Sequence, residues 1–112
     1  DYNKDTISTC WDRWPAFNYN YSWLVRTGST PSSNTGPTGA FAGNNYMYVE
    51  TNGIAGDEAF FTSPQFNTSS LTAPWLTYQY HMFGATMGNL YTEVSTNGGQ
   101  TWTTIDSLVG QQ

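Results

Sequence analysis

Few residues in this chain are able to do chemistry, and their types and spacing decide which kinds stay open. The one histidine, His81, stands between Tyr80 and Met82, with no second histidine and no serine in a sharp Gly-flanked turn beside it. Nucleophilic catalysis needs a base within hydrogen-bond reach of an activated nucleophile. Placed on the polar side of an alternating run, His81 reads instead as a structural hydrogen-bonder. The carboxylates Glu50, Asp57, Glu58, Glu93 and Asp106 lie on separate stretches. A pair such as Glu50 with Glu93 could face across a cleft as glycosidase carboxylates do, but no spacing singles that pair out. The expectation is a non-catalytic chain.

A hard cation fits the same acids better. Calcium takes oxygen from carboxylates, amide side chains and backbone carbonyls, and Gly53-Ile54-Ala55-Gly56-Asp57-Glu58 with nearby Glu50 forms a compact oxygen-rich patch. Glu50 and Asp57 are therefore the candidate metal ligands, with calcium or sodium as the ion and carbonyls of the loop at residues 28–45 completing its shell. The alternative is a solvated turn that holds two acids. No Cys/His spacing suits zinc.

Aromatic side chains are the other resource. Tyr46, Tyr48, Trp75 and Tyr91 are the candidate binding surface, and Tyr78, Tyr80 and Trp102 add to a set too large for the core of a small domain. Exposed rings make flat amphipathic platforms for protein contacts or for stacking on sugars. The plain alternative is cross-strand packing on a wet sheet face.

These residues must be positioned by strands. At 112 residues there is room for one domain. Charged residues are only 10% of the chain and aromatics 17%, with Gly, Ser, Thr and Asn abundant, a composition that resists helices. The net charge of −5, with Lys4, Arg13 and Arg26 scattered, offers no basic cluster for nucleic acid. No apolar run reaches the length of a membrane span, so neither nucleic acid nor membrane insertion is expected. Cys10 has no partner cysteine within the chain, so it pairs with a segment outside it or, the better reading, is a small buried hydrophobe. Asn20-Tyr21-Ser22 and Asn67-Thr68-Ser69 match the glycosylation sequon, a match that arises readily by chance in so Asn- and Ser-rich a chain.

Alternation of period two predicts strands over 22–27, 46–51, 58–62, 75–83, 89–96 and 101–108. The last three, separated by GATMG and NGGQ, read as a β-meander. Within it Leu76, Tyr80, Met82, Leu90 and Val94 are the expected centre of the core, with Met47, Val49 and Phe61 packing from other strands. Residues 1–20 read as an irregular entry, and 28–45 as a long Gly/Pro/Ser/Thr/Asn loop anchored by Phe41 alone.

In order and spacing, Trp23, the Thr35-Gly36-Pro37 turn, YMYVE at 46–50, Ser63-Pro64, Tyr80-His81-Met82, Gly84 and Met87-Gly88 together resemble the MAM domain. The resemblance covers most of the chain. It implies an all-β, jelly-roll-like antiparallel β-sandwich over residues 1–112, without enzymatic activity, placed outside the cell or on its surface and binding a protein or a glycan there. The style of STPSSNTGP and EVSTNGGQTWTT is similar to bacterial members, as is the scarcity of cysteine. Animal members carry acids before the first Trp and after the Gly-Pro turn, where this chain reads Tyr19-Asn20-Tyr21-Ser22 and Gly39-Ala40-Phe41-Ala42. Family members also run to roughly one and a half times this length, as a full two-sheet jelly roll requires. The resemblance thus implies a piece of a longer domain, whose open edge would be completed by a strand from another chain or from the same protein. Besides an adhesion module, two further readings stand: an accessory carbohydrate-binding domain of a secreted enzyme, and a structural spacer in a surface fibre.

Overall fold

A computed structural model describes residues 7–16, 21–50 and 55–112. Asn20, Thr51 and the Asn52-Gly53 turn lie outside the described residues. Two compact units are formed, residues 1–79 and 80–112.

All the regular structure among the described residues is antiparallel β. In the first unit, β1 (Asp12–Trp14) pairs with β4 (Phe60–Thr62), and β2 (Leu24–Arg26) pairs with β3 (Tyr46–Tyr48). The register sets Arg13 opposite Phe61 and Trp14 opposite Phe60 in one ribbon. In the other, Leu24 faces Tyr48, Val25 faces Met47 and Arg26 faces Tyr46. Side chains alternate, so Leu24, Arg26, Tyr46 and Tyr48 share one face and Val25 and Met47 the other, as the sequence pattern predicted.

Trp23 ties the two ribbons together. Its indole N–H donates to the Ala59 carbonyl at 3.0 Å, its own carbonyl accepts from Arg13 Nη1 at 3.0 Å, and its ring lies 6.2 Å from that of Phe61. Trp11 stacks on the same Phe61 at 4.7 Å with an interplanar angle of 11°. Residues 7–16, read from sequence as an irregular entry, thus contain a strand and supply two indoles to β4. The signal was weak because Asp12, Arg13 and Trp14 show no apolar alternation.

The second unit is a hairpin of β5 (Asn89–Val94) and β6 (Thr103–Val109). Thr92 faces Asp106 while Glu93 faces Thr104, so Ile105 is an extra residue, a β-bulge. Glu93 and Thr104 share a face, where the threonine hydroxyl donates to the carboxylate at 3.1 Å. The turn is closed by side chains. Ser95 Oγ accepts from Gly99 N at 2.8 Å and donates to Asn97 Oδ1 at 2.9 Å; Asn97 Oδ1 also accepts from Thr101 N at 3.0 Å. Gly98 and Gly99 sit at φ 73° and 85°, which only glycine adopts without strain.

The expected core needs correction. Met82 is 4% exposed and is the buried apolar side chain among the described residues. Leu90, Met47, Val49 and Phe61 are half-buried, whereas Leu76 at 67%, Tyr80 and Val94 are exposed. No described strand includes residues 75–83, so the alternation there has no ladder to turn it inward, and Val94 ends β5 opposite Thr103 where the ladder gives way to the turn. Cys10 is exposed rather than buried.

Candidate functional site

The loop of residues 28–45 is held on the β2–β3 ribbon by bonds from both strand ends. The Tyr46 hydroxyl donates to the Gly28 carbonyl at 2.8 Å, and Thr27 Oγ1 donates to Asn45 Oδ1 at 2.6 Å. Glu50, just past β3, accepts from Ser32 Oγ at 2.9 Å and from Ser32 N at 3.4 Å. Asn34 takes φ 64° within a turn in which Thr35 Oγ1 donates to the Ser32 carbonyl at 3.3 Å. Asn tolerates this left-handed conformation better than most residues. Phe41, the expected apolar anchor, is exposed, and the loop is pinned by these polar bonds instead.

These contacts gather three of the residues singled out from sequence. Tyr46 and Tyr48 stand 6.3 Å apart on one face of β3. Burial raises the Tyr46 hydroxyl above its ordinary value; the Arg26 charge works against this and the Glu50 charge adds to it. Glu50 spends its carboxylate on the loop. Asp57 is exposed, and its charge is felt at Tyr21, whose hydroxyl is raised first by burial and then by that carboxylate. Among the described residues no group of three or more His, Cys, Asp or Glu side chains comes together, so an ion at Glu50 or Asp57 would draw most of its shell from hydroxyl, amide and carbonyl oxygens.

The other aromatic candidates are placed singly. Trp75 is 91% exposed, in a run from Gln65 to His81 in which every residue is exposed. Tyr91 belongs to the second unit, where its exposed hydroxyl accepts from Asn89 Nδ2 at 3.0 Å. His81 is exposed, with its ring 6.4 Å from that of Phe83. A further surface pair escaped the sequence reading: Trp14 and Phe60 face one another across β1 and β4, 63% and 44% exposed, with rings 5.9 Å apart. Trp14 precedes Pro15 at the edge of a three-residue strand, and only the β1–β4 pairing, 46 residues apart in sequence, reveals it.

Ser22 is 2% exposed, with no hydrogen-bond partner for its hydroxyl. Its burial puts the hydroxyl of the Asn20 sequon inside the first unit, whereas Asn67, Thr68 and Ser69 are exposed. No helix among the described residues is long and apolar enough to cross a membrane.

No solved structure matches the chain. The family match is described as MAM domain, meprin/A5/mu, and runs from residue 4 to residue 112. MAM domains are jelly-roll-like β-sandwiches and extracellular adhesion-type modules, in agreement with the helix-free antiparallel strands seen here. By a match that spans nearly its whole length, the chain belongs to the MAM domain family.

Proposed function

We propose that this chain is a non-catalytic recognition module of a secreted or cell-surface protein, binding a protein at the cell surface through exposed aromatic side chains on a β frame. The observation that carries the reading is the set of large rings left in solvent by an adhesion-type domain: Trp75, Tyr91 and the Trp14–Phe60 pair. Rings of this kind bury much area at small entropic cost and dominate interface energetics. Beads coated with the chain, mixed with extracellular protein fractions and with a glycan array, test it. Protein capture lost in Trp75→Ala or in Trp14→Ala/Phe60→Ala supports the reading. Capture unchanged by all of them refutes the aromatic surface. Binding confined to the array favours the accessory carbohydrate-binding reading, for which the flat and almost fully exposed Trp75 is the natural platform.

Calcium or sodium at Glu50 or Asp57 is a separate element of the proposal, supported by the oxygen-rich loop that Glu50 anchors. A ligand bound only by the folded state raises its stability by RT ln(1 + [L]/Kd), about 2.7 kcal/mol at a hundredfold excess over Kd. Melting with calcium, with sodium and with chelator should then differ in the wild type and coincide in Glu50→Ala/Asp57→Ala. Identical wild-type transitions in all three conditions remove the ion.

A further inference from the structure

The two strands of the second unit do not expose equivalent edges. Gly110 N donates to the Gly88 carbonyl at 3.2 Å, one step beyond the Asn89–Val109 pair. In an antiparallel ladder, directly bonded and unbonded pairs alternate. Leu90–Leu108 and Thr92–Asp106 are therefore bonded pairs, and Ser107, opposite Tyr91, turns its N–H and C=O away from β5. An outward N–H on an edge strand is what another strand would pair with. Here it is taken: Ser107 N donates to Asp106 Oδ1 at 2.9 Å, and the bulge residue Ile105 stands immediately before that carboxylate.

We infer that Asp106 and the Ile105 bulge form an edge guard, which keeps β6 from pairing with β6 of a second copy of the chain. The geometry names a second copy as the strand held off. A strand edge is self-complementary about a two-fold axis, and an antiparallel pairing centred on Ser107 sets Ile105 of one copy opposite Val109 of the other. Both residues are exposed, at 58% and 66%, and apolar pairs across strands stabilise such a ladder. Residues 80–112 contain no Lys or Arg to blunt the edge in the common way. The guard is instead one carboxylate oxygen, which satisfies the amide at the centre of that pairing.

Sedimentation of the full 112-residue chain over a range of concentrations reads this out. Asp106→Ala frees the Ser107 amide and should tighten self-association about tenfold or more relative to wild type, the scale of one hydrogen bond gained by each open amide. Asp106→Asn keeps an acceptor oxygen and should stay close to wild type. Asp106→Ala/Ser107→Pro removes the N–H itself and should return to the wild-type state. Three results overturn the inference: no gain in Asp106→Ala, an equal gain in Asp106→Asn, which would assign the effect to charge alone, or association that persists in the proline double variant. Circular dichroism of each variant, matched to wild type, ties the readout to the edge, and a variant that associates only with loss of that spectrum counts against the guard.

Discussion

Replacing Gly36 by alanine tests whether the long loop is a built element. The φ of Gly36 is not in the left-handed region, so the backbone itself would accept a side chain; space is the constraint. A Cβ placed there meets the Oγ1, Cγ2 and Cβ atoms of Thr30, the last at 2.6 Å, whereas ordinary contact begins at 3.4 Å. The hydroxyl and methyl of Thr30 can swing away about χ1, but Thr30 Cβ is fixed to the backbone and cannot. One side of the loop must therefore retreat by 0.8 Å, the difference between those two distances. Such a retreat disturbs the turn in which Ser32 bonds Glu50 and Thr35. Overpacking of this kind costs about 1–3 kcal/mol, which for a domain near this size lowers Tm by roughly 4–8 °C per kcal/mol. Urea melts of Gly36→Ala should show that loss at unchanged slope. Thr30→Ala added to it should rescue little, because the offending Cβ stays. Thr30→Gly should rescue most of it, giving a coupling energy that a double-mutant cycle reads directly. A Gly36→Ala protein within about 0.5 kcal/mol of wild type, the range of ordinary surface changes, would refute the close approach of Gly36 to Thr30.

Trp23→Phe keeps an aromatic ring against Phe61 but orphans the Ala59 carbonyl, and should cost about 1–3 kcal/mol in a urea melt. Met82→Ala, at the one buried apolar side chain described, should cost about 2–5 kcal/mol by the same assay, while Leu76→Ala, at an exposed side chain, should stay within about 0.5 kcal/mol. Tyr46 carries a raised pKa from burial, so its proton stabilises the folded state fully below the ordinary tyrosine value of about 10, and that contribution is lost as pH rises through the folded value. Stability measured above pH ~10 should therefore fall less steeply in Tyr46→Phe than in wild type, and tyrosinate absorbance should show one residue fewer titrating late.

The parts of this fold legible in sequence are those where local pattern and local pairing agree. In β5 and β6 the alternation, the Asn-Gly-Gly turn and the partner strand lie within a few residues of one another, and the two ranges were placed to within two residues. The faces of β2 and β3 were legible from alternation alone, which puts Leu24 with Arg26 and Tyr46 with Tyr48; that the two strands pair, nineteen residues apart, was not. Two further things were not. Strand β1 has no period of its own and exists because Arg13 and Trp14 find Phe61 and Phe60. Residues 75–83 show the opposite case, a strong period with no described ladder, so Leu76 and Tyr80 are exposed where alternation alone would bury them. For the candidate site, Tyr46 and Tyr48 were legible as neighbours on one face of a strand, whereas Glu50, read with Asp57 as a candidate metal ligand, lies just past β3. The Trp14–Phe60 pair and the seat of Glu50 on Ser32 depend on contacts that no sequence window contains. Asp106 was noted only as one acid among several, and its grip on the next amide appears once the ladder shows which way Ser107 points.

The side-chain closure of the β5–β6 turn also bears on the order in which the chain folds. Eight residues, 95–102, separate those strands, against nineteen, 27–45, between β2 and β3 and forty-five, 15–59, between β1 and β4. Loop-closure entropy grows as (3/2)RT ln n, so joining β1 to β4 costs about 1.5 kcal/mol more than closing the hairpin. Ser95, Asn97 and Thr101 further hold the short turn with bonds that need no distant partner. A hairpin of this kind closes in about 1–10 μs, long before ribbons with distant partners are rewarded for meeting. The Ser95–Asn97–Thr101 knot thus sets a starting point for folding: changes there should slow the folding arm of a chevron, while changes at Trp23 or Phe61, whose partners arrive late, should chiefly hasten unfolding.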